Sequence, residues 1–112
     1  MQRKLSVPYG VNNVMQGKHR VRVEMLDDLF CVHKTLYQRL SSGKIYSHSS
    51  HWTLTHVPSM HAVAKRYPSK EAAIKSWKKI RNMIDWTFMD IKMGGISKKD
   101  REYVSKAVRD FR

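Results

Sequence analysis

The residues of this chain whose types could do chemistry are six histidines, one cysteine and nine scattered carboxylates. His48 and His51 lie three apart, and His56 and His61 flank a Pro-Ser pair. A zinc site needs a tetrahedral set of Cys and His with short paired spacing. A lone Cys31 and no HxxxH on a helical segment do not supply one, although His56 and His61 could face each other across a hairpin. Nucleophilic catalysis needs a nucleophile, a base and an orienting group held together. Serines are plentiful, but no strand-to-helix elbow holds one. Glu24, Asp27 and Asp28 cluster where turn chemistry is expected, and Asp85 and Asp90 sit apart on a helical segment, so no convergent pair of carboxylates suits a metal-dependent hydrolase. There is no glycine-rich phosphate loop. The expectation is a protein without catalytic residues, metal, cofactor or small-molecule substrate.

What remains is charge. Twenty-two Lys and Arg against nine Asp and Glu give a net charge of +13 on 112 residues, with a sequence pI ≈ 10.2. A field of that size favours polyanions, either nucleic acid or the acidic surface of a protein. The 41% hydrophobic and 10% aromatic content argues against disorder and for one folded domain. A single cysteine excludes an intrachain disulfide and fits a reducing, cytoplasmic compartment. Cys31 lies in the apolar run LFCV, as a small buried hydrophobe would. The first ten residues lack the apolar core of a signal peptide. No apolar run approaches the roughly 18 residues of a membrane span, so no membrane partner is expected.

The elements that must position this charge centre on residues 52–93. Trp52 to Val57 is aromatic and β-branched, as a half-buried strand requires. Val57-Pro58-Ser59-Met60 reads as a β-turn, because proline pre-sets φ at its second position. Residues 60–66 return as a second strand that carries Lys65, and Tyr67-Pro68 ends it. Ser69 suits an N-cap and Glu71 the first helical turn. Ala73, Ile74, Trp77, Ile80, Ile84, Phe88 and Ile91 recur at three- and four-residue steps, so the spacing predicts a helix over 70–93, stopped by Gly94-Gly95. Lys75, Lys78 and Lys79 share its polar side. They read either as a solvated face or as a basic strip for phosphates. Trp86 projects close to them at about 100° per residue, which favours the strip, with the indole available to a base.

Elsewhere, residues 1–17 carry Arg3, Lys4, Pro8, Gly10, Asn12, Asn13 and Gly17 and read as a basic N-terminal arm, with a short extended piece at Leu5 to Val7. In 18–26, Val21, Val23 and Met25 alternate with Arg20, Arg22 and Glu24, the pattern of a strand with charge outward. Asp27-Asp28 turns the chain into a strand over 29–36. Residues 37–50 read as a serine-rich surface loop bearing Lys44. Ser97 caps a final helix over 98–111, with Val104, Val108 and Phe111 as its apolar stripe. The expected fold is α+β: an antiparallel sheet of about four strands, one long helix on a face and a short C-terminal helix, forming a single domain over 18–112.

The order of three strands and a helix is similar in layout to the arm-binding domains of phage-type integrases. The stretch THVPSMHAVAKRYPSKEAAIKSW further resembles small accessory proteins of tailed phages, in Thr55, His56, Pro58, Ser59, Lys70, Glu71, Ala72 and Ala73. Met60 stands where those proteins more often have glycine. That resemblance covers about a quarter of the chain. It implies host takeover or defence against host immunity, by binding and not by catalysis, in the host cytoplasm. The function expected is a non-enzymatic module that engages DNA or RNA through Arg20, Arg22, Lys44, Lys65, Lys75, Lys78, Lys79 and Trp86. The alternative is an inhibitor that binds an acidic surface of a host protein.

Overall fold

The structure, a computed structural model, describes residues 2–11, 14–38, 41–87 and 97–112. Within them the chain is α+β. Five antiparallel strands, β1 (Gln2–Val11), β2 (Val14–Met25), β3 (Phe30–Gln38), β4 (Ile45–His56) and β5 (His61–Tyr67), form one meander in chain order. Helices α1 (Lys70–Ile80) and α2 (Lys98–Arg109) follow.

The sheet has one strand more than the four expected, because part of the stretch read as a basic arm is β1 and most of the rest opens β2. Leu5 and Val7 alternate like the residues of a strand, and Val7 is completely buried. Pro8 is tolerated because β1 is an edge strand, with β2 as its sole hydrogen-bonded neighbour among the described residues.

The loop expected over 37–50 is also largely strand. β3 runs on to Gln38 and β4 starts at Ile45, with Tyr37 paired to Tyr46 and their rings stacked at 5.8 Å. Gly43 takes a φ of +71° in the connection, and Gln38 donates to its carbonyl at 3.0 Å. The serine-rich sequence of this hairpin hides it, because exposed strand ends have no apolar alternation to show. The Pro58 turn is present as expected. Met60 donates its N–H to the Val57 carbonyl at 3.1 Å and holds a φ of +55°, the left-handed conformation that glycine adopts more readily.

β3 is the centre of the molecule and is buried on both faces. Phe30 and Val32 face the helices, packing with Leu54, Ala64 and Tyr67 of the sheet and with Ala73, Trp77, Ile80, Val104, Ala107 and Val108. Cys31 faces the other way, into a second cluster with Val7, Val23 and Leu36. That face is closed by β1, which touches β3 without being its hydrogen-bonded neighbour, so the sheet curls over itself. On this inner face Thr55 donates to His33 Nε2 at 2.9 Å, and the Thr35 and Thr53 hydroxyls bond at 2.8 Å. No buried side-chain nitrogen or oxygen among the described residues lacks a partner, as burial of polar groups demands.

The largest departure is the length of α1. Its start is as expected, with Ser69 Oγ accepting from the Ala72 N–H at 3.1 Å. It ends at Ile80, not at 93. Residues 81–84 form a turn, and the remainder of the expected helix beyond residue 87 lies outside the described residues. The chain leaves the helix so that Trp86 can fold back into the core, where its indole lies edge-on to Phe30 at 5.0 Å and donates to the Ile80 carbonyl at 2.9 Å. That one bond satisfies a carbonyl left open by the helix end. Burial of a large aromatic outweighs the continued apolar spacing. α2 agrees with expectation to within two residues: Ser97 Oγ accepts from the Asp100 N–H at 3.1 Å, and Val104, Ala107 and Val108 are buried.

Candidate functional site

A groove of about 400 Å³ opens where β2 leaves β3. Among the described residues the two strands pair at Glu24↔Val32 and Met25↔Cys31 and no further, while β2 keeps its full ladder to β1. The hairpin at Asp27 holds the base of this divergence. Asp27 Oδ1 accepts from the N–H groups of Leu29 and Phe30, both at 2.8 Å, and Oδ2 accepts from the Trp77 indole at 3.3 Å. Beyond that anchor the β1–β2 ribbon turns toward the inner face and the gap widens.

Strand alternation decides what lines the groove. Val21 and Val23 turn to the inner cluster, so Arg20, Arg22 and Glu24 point to the helix side of the sheet. Lys34 follows Phe30 and Val32 on that side and pairs in register with Trp52. Lys70, in the first turn of α1, closes one end through an ion pair with Glu24 at 3.0 Å. Arg20, Arg22 and Lys34 are exposed, and Trp52 is half-buried with its inner edge against the main core. Four cations therefore border one recess with an aromatic in it, and Lys70 neutralises Glu24, the carboxylate that lines it.

The other expected site residues fall elsewhere. Lys75, Lys78 and Lys79 are exposed on the outer side of α1. At about 100° per residue, Lys79 is half a turn away from Lys70, and Lys75 is not far short of that. Lys78 is only about 80° round from Lys70 but about 12 Å further along the axis, more than two turns, so the strip and the groove are distinct in place. Lys79 is also engaged by α2, 3.6 Å from Asp110 and 5.9 Å from the centre of the Phe111 ring. Lys44 is exposed at the end of the β3–β4 connection. Lys65 is half-buried on β5, close enough to the inner face for its charge to act on His33.

Trp86 requires a correction. It is 5% exposed, its indole N–H is spent on Ile80, and it does not extend the lysine strip. The aromatic beside the basic groups is Trp52. Sequence reasoning took Trp52 as a strand residue and missed Lys34 and Lys70. The signal for Lys34 was the Phe30, Val32, Lys34 alternation on the same side as Arg22, legible once β2 and β3 are known to be neighbours.

His33, His56 and His61 are tied into the fold by hydrogen bonds. His56 and His61 do pair in register, but both ring nitrogens of His56 and Nδ1 of His61 have other partners. His56 donates from Nε2 to the Trp86 carbonyl at 2.6 Å and accepts at Nδ1 from Ser59 at 2.7 Å, and His61 donates from Nδ1 to the Ser59 carbonyl at 2.9 Å. Burial lowers the pKa of His56. The charge of His61 adds to this, while the Trp86 carbonyl and Asp27 oppose it. Burial likewise lowers that of His33, helped by Lys65 and opposed by its bond to the Lys34 carbonyl. Burial pushes the Cys31 thiol up to about 12, against the opposing effect of Arg3, so no reactive thiolate forms near neutral pH. Among the described residues no group of three or more His, Cys, Asp or Glu could hold a metal ion, and no helix is long and apolar enough to cross a membrane.

Comparison with family models, with curated proteins and with solved structures finds no match to this chain.

Proposed function

We propose that this protein is a non-enzymatic module that binds nucleic acid, with the β2–β3 groove as its principal contact surface. The observation that carries this reading is the gathering of Arg20, Arg22, Lys34 and Lys70 around Trp52 in one recess. Arg20, Arg22 and Lys34 are then available to neutralise phosphates, while Lys70 offsets Glu24, and a half-buried aromatic offers a face on which a base stacks. The overall charge of +13 draws a polyanion in from a distance and speeds encounter. The exposed lysines of α1 and Lys44 add a general positive field around the groove.

The test is fluorescence anisotropy of labelled oligonucleotides across a salt series. The expected result is binding at low salt that weakens linearly in log Kd against log salt. Absence of binding to DNA and RNA at low salt overturns the reading. The charge would then serve an acidic protein surface, the alternative that the same composition permits.

A further inference from the structure

Resting on that reading, we infer that the groove selects single-stranded nucleic acid, holding one unpaired nucleotide with its base on Trp52 and the flanking phosphates on Arg20, Arg22 and Lys34. The shape of the site carries the inference. Sequence-reading duplex binders project a helix or a β-ribbon into the roughly 12 Å wide major groove. Here the basic groups line a hollow between two diverging strands, and a hollow receives what can be splayed out of a stack. At about 400 Å³ the recess lies toward the small end of the ligand pockets that proteins use, roughly 300–1,000 Å³. That is the scale of a nucleotide and not of a base-paired stem.

The aromatic in the hollow points the same way. Of the three tryptophans, Trp77 and Trp86 are 8% and 5% exposed and give their indole N–H groups to Asp27 and Ile80. Trp52 alone is half-buried, and it lines the groove. Its register partner is Lys34, so a cation stands on the neighbouring strand beside the indole, where the phosphate of a stacked nucleotide would lie. A base face needs no hydrogen-bond code, so the site takes bases without strong preference. The Lys70–Glu24 pair closes the end nearest α1, which directs the strand away from the helix.

The experiment uses the full chain with four fluorescein-labelled probes of equal length: oligo-dT, oligo-rU, and a DNA and an RNA duplex. Anisotropy and intrinsic tryptophan fluorescence are read together at fixed salt. The expected result is that at least one single strand binds about tenfold or more tighter than its duplex and quenches tryptophan emission. In Trp52→Phe the quench disappears while most affinity remains. In Trp52→Ala affinity falls about 5- to 150-fold, the range that loss of one stacked base gives. Oligo-dT against oligo-rU separates a DNA from an RNA ligand. A second pair of variants guards against misfolding of Trp52→Ala: Arg20→Glu with Lys34→Glu, both exposed, should weaken single-strand binding far more than Lys75→Glu with Lys78→Glu. Duplexes bound as tightly as single strands, a quench that survives Trp52→Phe, or equal losses from the two charge-reversal pairs overturn the inference while nucleic-acid binding itself stands. No binding to any of the four probes removes the underlying reading as well.

Discussion

His56 and Trp86 lock each other in place. The imidazole donates to the Trp86 carbonyl at 2.6 Å, and their rings lie 5.6 Å apart against the shared edge of Phe30. The contact ties the chain leaving α1 to the end of β4, thirty residues earlier, and it makes Trp86 a structural residue. Trp86→Ala should cost about 3–5 kcal/mol, the range for a buried aromatic cut to alanine. It should leave oligonucleotide affinity unchanged once the folded fraction is taken into account. Urea denaturation and anisotropy on the same sample check both halves. A loss of affinity with unchanged stability would return Trp86 to the binding surface.

Trp77 supports the same helix from its other side. It is 8% exposed, its indole reaches Asp27, and Arg81 stacks over its ring at 4.8 Å. Trp77→Ala removes the packing, the bond to the β2–β3 hairpin and the cation–π contact together. A loss of about 3–5 kcal/mol in urea denaturation is expected. Ile84→Ala should cost clearly less, because Ile84 is half-buried beyond the end of α1. Equal losses would mean that the apolar stripe continues as a helix past Ile80.

The sequence shows the parts of this fold that rest on a strong local period. Val21, Val23 and Met25 marked a strand, Ser69 and Ser97 marked two helix starts, and Pro58 marked a turn. Less legible was whatever depends on a distant partner. β1 is disguised by Pro8 and Gly10, which an edge strand accepts and a central strand would not. The end of α1 is set by the cavity that Phe30 and His56 present to Trp86, and no residue near Ile80 announces it. The groove depends on where β2 stops pairing with β3, a feature of sheet coiling that alternation alone does not encode. Arg20 and Arg22 could thus be picked out as outward cations, whereas their neighbours Lys34, Trp52 and Lys70 could not.

Cys31 should behave as a buried apolar residue. It is 0% exposed and its thiol is pushed up to about 12. At pH 8 the native protein should react with a thiol-specific chromophore orders of magnitude more slowly than the same protein in urea, because both access and thiolate are lacking. Fast stoichiometric reaction without denaturant would show that the inner face opens under native conditions.

Stability should fall in mild acid. His33 and His56 have folded-state pKa values below the ordinary 6.5, so the unfolded chain binds more protons than the native one as the pH drops. The stabilisation from holding both rings neutral is complete above about pH 6.5 and is lost progressively below it, toward their folded-state values. For His33 the groups at hand are the Thr55 hydroxyl, the Lys34 carbonyl and the charge of Lys65, and none of these welcomes an imidazolium by more than a single backbone bond. A thermal melt series from pH 8 to pH 5 should show Tm flat at first and then falling. The fall should be shallower in His33→Gln, which keeps polar atoms in place but does not titrate. A Tm that rises toward pH 5 would reverse the assignment.

Nucleic-acid affinity should depend on the groove more than on the outer side of α1. Arg20 and Arg22 border the groove, whereas Lys75 and Lys78 stand on the outer side of α1. If groove cations each hold a phosphate, Arg20→Gln with Arg22→Gln removes two contacts. The slope of log affinity against log salt should then flatten by about 1.4 to 1.8, taking about 0.7 to 0.9 for each contact. Lys75→Gln with Lys78→Gln removes the same formal charge from outside the groove. It should lower affinity modestly through the general field and move the slope by well under half as much. Trp52→Phe should leave the slope unchanged, because stacking releases no counterions. Net charge is matched between the two double variants, so a difference in slope reports position and not total charge. Equal flattening would show that the protein binds as a diffuse polycation. A larger effect from the α1 pair would move the contact surface from the groove to the helix.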